Sequence, residues 1–329
     1  MSPARLALAL SLAVVLLFSA SLLIGPAALG PAASLEGLFS GGGEAAAIIM
    51  REVRLPRALL AALVGFGLGL SGAALQGFLR NPLAEPGIIG VSACASLGAV
   101  AVFYSGLAGA SMLALPAGAM AGALAAVVVL LAIAAGNTTT LTLILAGIAL
   151  SSLAGAFTSL ALNLSPNPFA SYEIIFWLLG SIKDRSMPHV WLSLAPMLVG
   201  WALILASARA LDALSFGEET AQSLGVDIAR ARIMLVAGVA LAVGAGVAVT
   251  GAIGFVGLVV PHLLRPLTDR MPSRLLLPSG LGGAALLLAA DIAARTIVPA
   301  KELNVGVLTA LIGAPFFLWL VTRSRRELG

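Results

Sequence analysis

The sequence predicts an all-α membrane protein, a single domain of about ten transmembrane helices. Its composition is the first observation behind that reading. Hydrophobic residues make up 60% of the chain and charged residues 10%, with a mean hydropathy of +1.09, whereas a soluble domain carries about 25% charged residues. The second is that apolar runs of roughly bilayer-spanning length recur from one end of the chain to the other. The third is the shortness of the connections, which leaves little sequence for a separate soluble unit, so residues 1–329 read as one domain.

The apolar runs fall near 6–25, 58–79, 87–105, 112–135, 141–162, 190–207, 233–250, 252–268, 275–293 and 305–322. The first follows Arg5 and carries no charge through residue 24. It exceeds the ~7–15 apolar residues of a signal peptide and reads as a retained helix. Gly65, Gly67, Gly69 and Gly72 in the second run, Gly118 and Gly122 in the fourth, and Gly244 and Gly246 in the seventh mark faces where helices approach closely. The 252–268 run has the least regular pattern, because Pro261, His262 and Arg265 interrupt it. With ten spans, helices 2–5 and 7–10 run in opposite senses, as an inverted repeat requires. The matching sequence echo is faint, Gly69-Leu-Ser-Gly-Ala-Ala-Leu-Gln-Gly against Val249-Thr-Gly-Ala-Ile-Gly-Phe-Val-Gly.

Lys and Arg concentrate on the cytoplasmic side of membrane proteins. An N-terminus inside places Arg5, Arg80, Arg209, Arg230, Arg232, Arg265, Arg270, Arg274, Arg323, Arg325 and Arg326 there. It leaves Arg51, Arg54, Arg57, Lys183, Arg185, Arg295 and Lys301 outside, so both termini are expected in the cytoplasm and the outer arginines need a reason. Anchoring to lipid headgroups is one. The net charge of +4 is scattered between apolar runs, which argues against a nucleic-acid surface. Cys94 is the only cysteine, so an intrachain disulfide is excluded and no thiolate metal site is expected. The only lysines, Lys183 and Lys301, are not preceded by glycine, so the chain has no Walker phosphate loop.

The largest polar insertion is 209–232, on the cytoplasmic side of that topology. Glu218 and Glu219 suit the first turn of a short helix, and Gly225 suits a left-handed ending. Leu214, Phe216, Leu224 and Val226 give the segment apolar contacts to offer, as a capped connector or as a docking element. Asn81-Pro82 is turn chemistry. Asp291 and Arg295 lie four apart and can pair on one helix face. Glu85 and Asp291 are the carboxylates nearest the spans, the type of group a gradient-driven carrier would use. Gly69-Leu-Ser71-Gly72 fits a rhomboid-protease pattern with His262 as base, but close helix packing accounts for the same residues. His262 reads as a structural histidine rather than a haem ligand, and the dispersed Met112, Met120 and Met197 as packing residues.

Six segments in order carry a resemblance. They are Arg54-Leu-Pro-Arg57, the run from Ser71 to Ser92 through Arg80-Asn-Pro-Leu-Ala-Glu-Pro-Gly, Leu143-Ile-Leu-Ala-Gly-Ile-Ala-Leu-Ser151, Gly217-Glu-Glu-Thr-Ala-Gln-Ser-Leu-Gly225, Gly251-Ala-Ile-Gly-Phe-Val-Gly-Leu-Val-Val-Pro-His262 and the run from Val305 to Trp319. Together they resemble the FecCD family of permeases, which includes vitamin B12, haem and ferric-siderophore importers. The resemblance implies a type II ABC importer permease in a bacterial inner membrane. It implies a second copy of the chain, two cytoplasmic ATPase subunits that bind ATP and Mg, and a periplasmic binding protein. No cofactor, metal or catalytic residue is implied in this chain. A bulky chelate passes whole, ferric siderophore or haem by preference and cobalamin as the alternative. By the same resemblance Arg54, Arg57 and Arg295 dock the binding protein. Leu214, Phe216, Gly217, Glu218, Glu219, Thr220, Leu224 and Gly225 couple to the ATPase. Asn81, Leu83, Thr140 and Leu141 form gates, and Ala146, Gly147, Ser151 and Leu311 line the pathway.

Overall fold

A computed structural model describes residues 3–27, 29–39, 43–134, 140–165, 168–269, 271–298 and 302–327, and among them there are helices and no strands. In chain order the helices are α1 (Pro3–Leu23), α2 (Pro31–Phe39), α3 (Glu44–Ile48), α4 (Leu55–Phe78), α5 (Val91–Tyr104), α6 (Ala114–Ala134), α7 (Thr140–Asn163) and α8 (Pro168–Leu178). They continue with α9 (Met187–Ala206), α10 (Ala208–Leu214), α11 (Glu218–Ser223), α12 (Ile228–Thr250), α13 (Val256–Leu264), α14 (Pro272–Thr296) and α15 (Val305–Glu327). A π-helical stretch, Ile49–Arg54, joins α3 to α4.

Each of the ten apolar runs contains a helix. Seven are long and apolar enough to cross a membrane, and Val91–Tyr104, Val256–Leu267 and Val305–Leu320 are shorter apolar helices. Two of these are short because the chain breaks before them. α5 begins after Gly90 at φ 83°, and α13 begins after Phe255 at φ 68°, both left-handed. Both breaks lie inside the bundle. Gly90 abuts the carbonyl of Gly147, about 10 Å along α7, and Phe255 abuts Gly313, about 12 Å along α15. The 252–268 run is therefore an irregular strand of chain followed by a half-span helix, with Pro261 inside it. α2, α3 and α8 have no counterpart in the apolar runs, since nine, five and eleven residues are too few to register as spans.

Packing is reciprocal between the two halves. α4 packs on α14 while α12 packs on α6, and α4 packs on α13 while α12 packs on α5. That exchange is what an inverted repeat of helices 2–5 and 7–10 produces. Glycine makes the closest crossings possible, because side chains at these points would strike backbone. A Cβ on Gly65 or Gly69 would collide with carbonyls of α14, and one on Gly122 with the carbonyl of Cys94. The faint sequence echo has a second meaning. The two echoing segments pack against each other rather than only repeating: a Cβ on Gly72 of the first would collide with the carbonyl of Gly257 in the second. The structural equivalents are Gly90 and Phe255, each the left-handed residue preceding a half-span helix.

Candidate transport site

At one end of the bundle the arginines expected on the outside gather. Asp291, completely buried, accepts from Arg57 Nε at 2.9 Å and pairs with Arg57 Nη2 at 2.9 Å and Arg295 Nη2 at 2.8 Å. Arg57 Nη1 also reaches Glu302 at 3.1 Å. Arg295 donates to the Ser21 hydroxyl and the Ile24 carbonyl, and Arg54 to the carbonyls of Leu22, Leu23 and Ala27. The last turn of a helix has carbonyls without intrahelical partners and a partial negative charge. Arg54 and Arg295 thus cap the end of α1 and tie it to α4 and α14. The pairing of Asp291 with Arg295 follows the i, i+4 expectation, and the arrival of Arg57 on the same carboxylate has no local sequence signal.

These contacts engage the arginines expected to dock the binding protein. Arg54 and Arg295 are not free rim cations, because burial and internal carbonyls or carboxylates occupy their guanidinium groups. Arg57 is nearly as enclosed, but its partner Glu302 keeps 18% side-chain exposure. Among the described residues Arg51 and Lys183 are the exposed cations nearby, and Arg51 donates to the Leu38 carbonyl; Lys301 lies outside the described residues. Lys183, Asp184 and Arg185 border a neighbouring cleft of about 720 Å³ together with Trp177 and Glu302. Burial lowers the Arg185 pKa, and Asp184 opposes that shift.

At the other end, about 27 Å away along α14, lies the polar insertion. α10 is tied to the start of α14 by a hydrogen bond from the Ser273 amide to Asp212 Oδ1 at 2.8 Å. Gly217, at φ 107°, turns the chain into α11, whose first turn contains Glu218 and Glu219 as the sequence predicts. Gly225, at φ 80°, closes it, and the Val226 amide donates back to the Ala221 carbonyl in a Schellman arrangement. Asp227 then caps α12 by accepting from the Arg230 amide. Phe216 and Leu224 are 69% and 66% exposed, and Glu219 and Thr220 are exposed beside them. Leu214 differs from expectation: it is buried and acts as the foot of the element rather than part of its outer face.

The residues expected to form the gates lie beside this insertion, after the end of α4 that meets α10 and the start of α14, and the expected wall residues lie farther along α7 and α15. Asn81 Oδ1 accepts from the Leu83 amide at 2.9 Å, the turn that Asn-Pro predicts. The loop that follows and the start of α7 border a common apolar cavity at Ile89, Leu143 and Ile144. Leu141 is exposed, and Thr140 begins α7 with its side chain outside the described set. Leu311 lines an open groove of about 570 Å³ with Leu179, Ala252, Phe255 and Ala310. Gly147 and Ser151 are turned against Gly90, which lies 2.5 Å from the Gly147 carbonyl once a Cβ is added. These two make room for the break before α5, and Ser151 stays half-buried. Ala146 is half-buried against the core.

Ser71 is buried with no hydrogen-bond partner for its hydroxyl, so no histidine base activates it. His262 stands edge-on to Phe316 with ring centroids 5.7 Å apart.

Comparison with known proteins bears on the whole of this arrangement. The profile of the FecCD transport family matches residues 12–323. The chain belongs to that family. It is 44% identical over 281 residues to the cobalamin import system permease protein BtuC of Halobacterium salinarum, covering 84% of this chain and 74% of that protein. It is 44% identical over 277 residues to the vitamin B12 import system permease protein BtuC of Vibrio cholerae, covering 83% and 82%. Among solved structures, a metal-chelate type ABC transporter in an inward-facing conformation matches with a TM-score of 0.85 and 32% identity, over 97% of this chain and 99% of that one. This FecCD member is therefore a multi-span permease of an ABC importer with the type II importer fold.

Proposed function

We propose that this permease carries a whole cobalamin-type chelate inward, as a homodimer served by two cytoplasmic ABC ATPase subunits and a periplasmic binding protein in a bacterial inner membrane. The observation that carries the reading is the element at 208–225. It is tied rigidly to α14 yet offers Phe216 and Leu224 to solvent at the end opposite the charged cluster, as a partner that pushes on the bundle would need. In this reading both termini lie with it in the cytoplasm. ATP and Mg sit on the partner ATPase, since this chain has no phosphate loop, and no cofactor or metal is assigned here.

The open groove along α15 and the exposed apolar residues Leu141, Leu145 and Ile148 of α7 support a pathway completed by a second copy. Leu311 belongs to its wall, and Asn81, Leu83, Thr140 and Leu141 to its gates. The outer rim receives the binding protein, with Glu302 as the carboxylate that a docking acid displaces from Arg57. Cobalamin now precedes ferric siderophore and haem as cargo, because the relatives at 44% identity have cobalamin or vitamin B12 in their names. A gradient-driven carrier finds less support: Asp291 is neutralised by two arginines, and Glu85 accepts from the Phe255 amide. The test is ATP hydrolysis by the purified permease–ATPase complex in proteoliposomes. Stimulation by binding protein loaded with cobalamin is expected, and stimulation by ferric siderophore or haem alone would reassign the cargo.

A further inference from the structure

Phe255 holds a backbone conformation that bulky side chains rarely adopt, φ 68°. Among the described residues the other non-glycines with positive φ are Arg80, Asp184 and Asp269, which sit in turns or connections. Such an outlier persists only where its surroundings over-determine it, and it is a pointer to function. Here the surroundings come from two directions. The Phe255 amide donates to Glu85 Oε1, on the loop that contains the Asn81–Leu83 turn. Its side chain is wedged at Gly313 of α15, where any Cβ would collide with it.

The gate loop and the break before α13 are also clamped together beside this contact. Gln76, 1% exposed, donates to the carbonyls of Ala84, Gly257 and Leu258, and its own carbonyl accepts from Arg265 Nη2 at 2.7 Å. Pro86 packs so closely on Gly257 that a Cβ there would lie 2.7 Å from the proline ring. Movement of the gate loop therefore moves the Phe255 backbone. Phe255 in turn lines the groove that contains Leu311.

We infer that Glu85 is a positioning residue of the transport cycle: its carboxylate holds Phe255 in the left-handed conformation and so links the gate loop at 81–90 to the pathway wall on α15. Glu85 touches no cargo in this account. It acts through Phe255, which presents the only aromatic side chain among the described lining residues of that groove. Burial raises the Glu85 pKa and the Phe255 amide opposes that shift. The hydrogen bond needs only an acceptor oxygen, which a glutamine also supplies.

The inference rests on the importer reading, so the experiment first requires ATP-dependent uptake of radiolabelled cobalamin by wild-type permease with its ATPase and binding protein in proteoliposomes. Absence of that uptake would count against the importer reading itself. With it in hand, three variants are compared at equal assembled amounts: Glu85→Ala, Glu85→Gln and Gly313→Ala. Losing a buried hydrogen bond, at about 1 kcal/mol, shifts a two-state equilibrium by about fivefold. Glu85→Ala is expected to leak preloaded cobalamin without ATP and to lower cobalamin moved per ATP by about that factor. Glu85→Gln is expected to restore both. Gly313→Ala displaces Phe255 without touching Glu85 and is expected to leak as well, which keeps the test decisive if Glu85→Ala does not assemble. A merely structural role would lower assembly and leave leak and coupling ratio unchanged in what does assemble. That outcome in Glu85→Ala, or in Gly313→Ala, would overturn the inference.

Discussion

Replacing Asp291 by alanine removes the one carboxylate shared by Arg57 and Arg295 at the end of the bundle. Asp291 is wholly buried, and its contacts to the two guanidinium groups lie at 2.8–2.9 Å. Removing one partner of a buried ion pair costs about 3–5 kcal/mol, because the remaining charge stays uncompensated. Two features hold the loss near the lower end. Arg57 keeps Glu302 at 3.1 Å, and Arg295 keeps the Ser21 hydroxyl and the Ile24 carbonyl. At about 2 °C per kcal/mol for a chain of this size, a loss of about 3 kcal/mol lowers the melting midpoint by about 6 °C. The assay is thermal unfolding of the purified protein in detergent, with Glu302→Gln measured in parallel. Glu302 is partly exposed, so its pair is worth about 1 kcal/mol and its loss about 2 °C. An Asp291→Ala protein that melts with the wild type, or no lower than Glu302→Gln, would refute the account of the cluster as an internal tie.

Phe216→Asp combined with Leu224→Asp should abolish co-purification of the ATPase. Since both side chains are exposed, the melting midpoint of the permease alone should hardly move, and a large drop would show that they are core residues instead. Gly72→Ala should destabilise by about 1–3 kcal/mol, because the new methyl meets the Gly257 carbonyl and the helices must separate. Unchanged melting would mean that this crossing gives way freely. Ser71→Ala removes a buried hydroxyl that bonds to nothing and should leave uptake near the wild-type rate. Complete loss of transport there would reopen the intramembrane hydrolase reading.

The long helices were legible because twenty consecutive apolar residues have few alternatives to spanning a bilayer. The short elements were not. α8 contains only eleven residues, and a span-length window has no signal for a segment of that size. The break before α13 was visible only as irregularity around Pro261, while the left-handed residue that makes it is a phenylalanine, which no turn rule would select. Of the arginines expected to dock the binding protein, the sequence supplied the pairing of Arg295 with Asp291 through helix periodicity. It could not supply Arg54 capping α1 or Arg57 meeting Asp291, since those contacts join residues 27 or more and 234 apart along the chain. The element at 208–225 was legible down to its capping glycine, because Gly225 and the acidic first turn are local signals. The inward turn of Leu214 depends on packing and was not.

The central claim is that transport through this permease is driven by ATP on a partner subunit. It is tested most directly by cobalamin uptake into proteoliposomes holding the permease–ATPase complex and the binding protein, with internal ATP fixed and the proton gradient collapsed by an ionophore. The account predicts uptake that persists without the gradient and stops when ATP is withdrawn. Uptake that stops on collapse of the gradient at constant ATP, or proceeds with no ATPase present, would contradict it.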